Sequence, residues 1–169
     1  MRLVGIAALA GMMCATIAPA QKLDLKFDAL AAKATEKAEL DLDGGLLKLA
    51  ARYGLSSGDF LGDLKEIHVR HYEFDKAGSY SDQDLAPLRK QVSESAGWSR
   101  IMNIKEKDET TEIFVLTQGG KIGSCVILSA EAHELSVVYI MGTLTLAQMK
   151  GLADSDTLRD LTLAGMLLK

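Results

Sequence analysis

The segment 99–142 constrains the fold more than any other part of the chain. Four strand-like runs follow one another there, at about 99–106, 111–118, 121–130 and 134–142. Their connections are Lys107-Asp108-Glu109-Thr110, Gly119-Gly120 and Glu131-Ala132-His133. Parallel strands need a crossover of roughly a dozen residues or more, so links this short join antiparallel neighbours and the runs form a meander. Val126-Ile127-Leu128 and Val137-Val138-Tyr139-Ile140-Met141 are apolar at successive positions, and therefore on both faces. Antiparallel sheets commonly leave one face to water. Either these strands are central and covered on both sides by the rest of the chain, or a partner covers the second face.

Upstream, helical and strand periods alternate. Phe27, Leu30, Ala31 and Ala34 lie on one face of a helix. Ala38, Leu40 and Leu42 then alternate with Glu39, Asp41 and Asp43, the pattern of a half-buried strand with an acidic row facing water. Gly44-Gly45 is expected to break that strand. Leu46, Leu47, Leu49, Ala50 and Tyr53 make a second helical stripe, ended by Gly54, and residues 55–62 read as a loop. In the strand from Leu64 to Asp75, Ile67 and Val69 are out of phase with Tyr72 and Phe74. A β-bulge near Arg70-His71 brings all four to one face; the alternative is a strand buried on both faces. Ser81-Asp82-Gln83-Asp84 caps a helix running to about Ser95, with Pro87 within or just after its first turn and Gly97-Trp98 ending the segment. Further helices are expected from Leu144 to Leu152 and from Thr157 to Leu168. The order describes a single α+β domain over residues 21–169: a mainly antiparallel sheet, a late four-strand meander, and helices packed on one face.

The first twenty residues stand apart. Met1-Arg2 precede an uncharged run from Leu3 to Ala18, followed by Ala18-Pro19-Ala20. A positive start, an apolar centre and small residues before the cut make a secretory signal peptide, with cleavage after Ala20. The apolar run is shorter than the ~20 residues that span a bilayer as a helix, so no membrane span is expected in the mature form. Lipid attachment at Cys14 is disfavoured, because Cys14 lies inside the apolar run behind Met12-Met13. Once Cys14 is removed, Cys125 has no intramolecular disulfide partner, and its apolar run suits a buried, inert thiol. The net charge of −4 gives no electrostatic reason to bind nucleic acid.

No chemical motif is intact. His68-x-x-His71-x-Glu73 has metal-ligand residue types, but its odd spacing sends the two histidines to opposite faces of a regular strand, and no metal is assigned. His133-Glu134-Leu135-Ser136-Val137 lacks the second histidine of a zinc-protease helix. Glu39-x-Asp41-x-Asp43-Gly44 resembles half an EF-hand loop, yet Ala50 stands where the bidentate Glu is required. Gly119-Gly120-Lys121 is a hairpin turn with no helix behind it to hold a phosphate. No catalytic residue and no cofactor is assigned. Trp98, at a helix-to-strand corner, reads as a core plug.

Tyr72-Glu73-Phe74-Asp75-Lys76-Ala77-Gly78-Ser79-Tyr80, Leu85-Ala86-Pro87-Leu88-Arg89 and Gly97-Trp98 together resemble the bacterial family catalogued as domain of unknown function 4252. Thr117-Gln118-Gly119-Gly120-Lys121, Ala130-Glu131 and Val137-Val138-Tyr139-Ile140-Met141-Gly142 extend the resemblance, which covers about residues 23–152. It implies an exported bacterial protein, some of whose relatives are encoded near extracytoplasmic sigma-factor systems. It supplies no catalytic residues.

The expectation is an exported, non-enzymatic protein of the periplasm or cell envelope that binds a protein, either an envelope partner or a second copy through a sheet face. The alternative is a small-ligand carrier or sensor with a pocket between sheet and helices lined by Tyr72, Tyr80, Trp98 and Tyr139.

Overall fold

A computed structural model describes residues 22–52 and 63–145. The expected signal segment, the expected 55–62 loop and the helices expected after Leu144 lie outside the described residues. The elements run α1 (Asp28–Ala31), β1 (Glu36–Asp43), α2 (Gly44–Arg52), β2 (Leu64–Glu73), α3 (Asp82–Gln91), a 3-10 turn (Glu94–Ala96), β3 (Trp98–Glu106), β4 (Glu109–Gln118), β5 (Lys121–Ala130) and β6 (Glu134–Leu144). Leu144, expected to open a helix, instead ends β6.

The six strands form one antiparallel sheet in the order β1-β2-β6-β5-β4-β3. The meander is as expected, but its direction across the sheet matters. After β2 the chain crosses to the far edge through α3, then returns strand by strand until β6 pairs with β2. The two doubly apolar strands, β5 and β6, are therefore the central pair. Val126, Ile127, Leu128, Val137, Val138, Tyr139 and Ile140 are all buried, so these strands offer no exposed apolar face.

Each face carries its own core. On the first face, Leu23, Leu25, Phe27 and Leu30, with Leu85, Leu88 and Val92 of the α3 segment, pack on Tyr72, Phe74, Trp98, Phe114, Val126, Leu128, Leu135, Val137 and Tyr139. On the second, Leu47 of α2 joins Ile67, Val69, Ile113, Val115, Cys125, Ile127, Val138 and Ile140. The helices thus do not share one face, as the element order had suggested: α2 lies opposite α1 and α3.

β2 explains part of this. Its pairing with β6 is unbroken from Glu66 to Glu73, and the irregularity falls between Leu64 and Glu66, not near Arg70-His71. Ile67 and Val69 feed one core, Tyr72 and Phe74 the other. The phase change in the sequence marks a strand buried on both faces, and no bulge is needed to reconcile it.

Two local devices set the ends of the elements. Gly44-Gly45 starts α2 instead of merely breaking β1, because Asp43 Oδ1 accepts hydrogen bonds from the Gly45 and Leu46 N–H groups, both at 2.9 Å. The last acid of the alternating row is thus a helix cap. Of the predicted stripe on α2, Leu47 is buried while Leu46 and Leu49 remain about half exposed. α3 opens with a capping box in which the Ser81 N–H and hydroxyl both donate to Asp84 Oδ2, at 2.8 and 2.9 Å. These two bonds outweigh the slight burial of Asp84 and hold its carboxyl below the ordinary range.

Candidate functional site

The four aromatic residues expected to line a pocket are brought together by the first-face core, but as packing. Tyr72, Trp98 and Tyr139 are almost fully buried, and Tyr80 packs against the same cluster. Phe27 meets Tyr72 edge-on at 6.2 Å, Phe74 meets Tyr80 at 5.1 Å, and Trp98 meets Tyr139 at 6.5 Å between ring centroids. Such pairs contribute about 0.5–1.5 kcal/mol each beyond their buried area. The Tyr80 hydroxyl donates to the carbonyls of Glu131 and Glu134 and so pins the β5–β6 hairpin. Burial raises that phenol to about 12. The Tyr72 hydroxyl donates to Glu39 Oε1 at 3.0 Å, and burial together with that carboxylate raises its pKa as well.

Trp98 also lines a cavity of about 250 Å³ with Arg89, Val92, Ser93, Glu94, Arg100, Glu112 and Phe114. Among these lining residues, Glu112 is 4% exposed with both oxygens occupied. Oε2 accepts from Arg89 Nε at 2.7 Å and Oε1 from Arg100 Nη1 at 2.8 Å. Arg89 Nη1 also donates to Asp82 Oδ1 at 2.9 Å. Burial works against the charge on Arg89, but Asp82 and Glu112 overcome it and raise its pKa. The trio ties α3 to β4 and β3, and it orients two guanidinium groups at the cavity wall. Sequence reasoning missed it: Arg89 and Glu112 are 23 residues apart, and neither belongs to a local motif.

Beside this cavity lies the sheet margin. β3 pairs only with β4, and after Trp98 every side chain from Ser99 to Glu106 is exposed. Among them Ile101, Met102 and Ile104 are 48%, 40% and 47% exposed. Met102 lies opposite Ile113 and Ile104 opposite Thr111, so both stand on the second face. The pairing shifts between Arg100 and Met102, which leaves Ile101 as the extra residue of a bulge. An edge strand displays unpaired N–H and C=O groups, and here apolar side chains accompany them.

His68 and His71 lie on β2, next to the opposite edge strand β1. His68 and His71 point to opposite faces, as their spacing requires. His68 stacks on Tyr139 with centroids 5.7 Å apart. Its Nδ1 lies 2.6 Å from Asp41 Oδ1 and its Nε2 2.9 Å from Glu66 Oε2. Arg70 Nη2 adds a 2.8 Å ion pair to Asp41 Oδ1. Partial burial pushes the Asp41 carboxyl up, but its bonds to His68 and Arg70 prevail and hold it below the usual range. His71 faces Glu73 and Glu134 at 3.4 and 3.5 Å. Among the described residues no three His, Cys, Asp or Glu side chains are grouped to hold a metal ion, and no helix is long and apolar enough to cross a membrane.

No curated protein matches the chain. The model of the family described as "Domain of unknown function (DUF4252)" matches residues 32–152, a span that takes in every strand from β1 to β6 together with α2 and α3. The chain therefore belongs to the DUF4252 family.

Proposed function

We propose that this protein is an exported, non-enzymatic module of the periplasm or cell envelope that acts by binding protein, and that the β3 margin is its contact surface. The observation that carries the reading is the run Ser99–Glu106, an edge strand exposed along its length with three large apolar side chains 40–48% exposed. Recognition by strand addition suits such an edge: main-chain hydrogen bonds supply affinity, and alternate side chains supply selectivity. The leader-like first twenty residues support export, and the lack of an intact catalytic motif in the sequence supports a binding role. The small-ligand reading has the Trp98 cavity in its favour, but about 250 Å³ falls below the ~300–1,000 Å³ of ligand pockets. The protein-contact reading is therefore preferred.

Two measurements test it. N-terminal sequencing of protein recovered from the envelope fraction should begin at Gln21; a retained leader would remove the export step. A photo-crosslinking residue at position 104, introduced in living cells, should capture a polypeptide. A matched probe at Lys37 on the opposite edge should not. Equal yields from both positions would refute β3 as the contact.

A further inference from the structure

We infer that the β3 margin takes up an extended segment of a partner protein in which acidic and apolar residues alternate. This rests on the edge reading above and specifies the chemistry of the occupant. The two faces of β3 carry different side chains. Arg100 lies opposite Phe114, Asn103 opposite Glu112 and Lys105 opposite Thr110, which places all three on the first face. Met102 and Ile104 stand on the second, and all five side chains are exposed. The exposed first-face row therefore holds two cations, one amide and no acid. Glu112 beside it is buried with both oxygens taken. Arg100 gives one nitrogen to Glu112 at 2.8 Å and keeps half of its side chain exposed. Its guanidinium is thus oriented before anything binds, which lowers the ordering cost of a second carboxylate.

The bulge at Ile101 sets the spacing. Arg100 and Lys105 are separated by one residue more than their β4 partners, Phe114 and Thr110, because Ile101 is the extra residue. A regular strand added antiparallel outside β3 must follow the same alternation of faces. Its residues i, i+2 and i+4 face Lys105, Asn103 and Arg100, while i+1 and i+3 face Ile104 and Met102. Acids at i and i+4 with apolar residues at i+1 and i+3 supply the opposite-charge and apolar cross-strand pairs that stabilise a sheet. The other margin rejects such a segment: on β1, Glu39, Asp41 and Asp43 share a face and would set acid against acid. Lys105 and the bulge also discourage a plain apolar strand from adding to β3, so the edge selects by what it repels as well as by what it attracts. A ladder this short falls at the low end of interface sizes, which makes the contact a transient one.

Fluorescence anisotropy with the purified full chain and three short, labelled, terminally blocked peptides tests this. One peptide alternates glutamate with valine, one lysine with valine, and one glutamate with serine. The glutamate-valine peptide should bind roughly fivefold or more tightly than either of the others, and its advantage over the lysine peptide should shrink with added salt. Lys105→Glu, at an exposed position where folding is checked by circular dichroism, should weaken the glutamate-valine peptide roughly fivefold and strengthen the lysine-valine peptide. The gain for the second peptide separates lost charge from lost fold. Ile104→Ser should bring the glutamate-valine peptide down towards the glutamate-serine one. No binding of any peptide at millimolar concentration, or equal binding of the acidic and basic peptides, overturns the proposal. Equal binding of the glutamate-serine peptide makes the row a general anion patch and overturns it as well. Self-association of the purified protein that Lys105→Glu abolishes makes a second copy the occupant and likewise overturns it. If position 104 captures a polypeptide in cells while the peptides show no acidic preference, the acidic partner falls and the β3 contact stands. No peptide binding and no capture removes both.

Discussion

Replacing Arg89 with Met removes one of the two guanidinium groups that hold the Glu112 carboxylate, whose side chain is 4% exposed. The bond lost is short and charge-assisted, a class that contributes about 1.5–3 kcal/mol net. The stranded oxygen adds a desolvation cost, since removing one partner of a buried ion pair destabilises by up to about 3–5 kcal/mol. Arg100 remains on the other oxygen and lowers that cost. The Arg89–Asp82 bond contributes little, because Asp82 is mostly exposed. The expected loss is about 2–3 kcal/mol, or a fall in Tm of roughly 5–10 °C for a chain of this size. The double variant Arg89→Met, Glu112→Leu should behave differently. It removes the buried charge together with its partner, and the half-exposed Arg100 can turn to water. Its cost should be about 1 kcal/mol, smaller than that of the single change. Urea unfolding followed by the fluorescence of Trp98, the single tryptophan and a wall of the same cavity, reads both variants. If Arg89→Met lies within about 0.5 kcal/mol of the parent, or if the double variant is no more stable than Arg89→Met, the buried-charge argument fails.

Other perturbations probe separate features. Gly142 has φ 149°, and a Cβ there would lie 2.7 Å from Leu64 Cα and 2.9 Å from Asp63 O, both backbone atoms. Gly142→Ala should cost about 2–3 kcal/mol in urea unfolding, whereas Gly123→Ala, which meets only the flexible Gln118 side chain at 3.3 Å, should cost much less; equal effects contradict the reading. Burial pushes the Cys125 thiol up to about 12, so in a Cys14→Ser background it should react with a thiol reagent at pH 8 at least about a thousandfold more slowly than in urea-unfolded chain. Rapid labelling of the folded protein would show the site to be open. Asp41 is held below its ordinary value of 3.8, so its contribution is present above that pH and is lost as pH falls through the lower folded value. Asp41→Asn should therefore be less stable than the parent at pH 7, by no more than about 1 kcal/mol given its exposure, and the gap should close in strong acid. A gap that persists or widens there contradicts the assignment.

The antiparallel meander was legible in the sequence because strand period and link length are local properties: two to four residues cannot carry a chain over to a parallel neighbour. The acidic row of β1 and the capping box of α3 were legible for the same reason, being set by residues within a few positions of one another. The burial of Cys125 followed from its apolar neighbours. Other features depend on which strand neighbours which. Ile101, Met102 and Ile104 look like core residues along the chain, and only the crossover that carries β3 to the sheet margin leaves them exposed. Tyr72 and Phe74 needed the sheet to show that their change of phase fills a second core. Arg89 and Glu112 meet because α3 lies across β4, a contact with no signature in local spacing. Local sterics write the period of each element into its own residues, whereas edge and centre, or the partner of a buried charge, are properties of the assembled sheet.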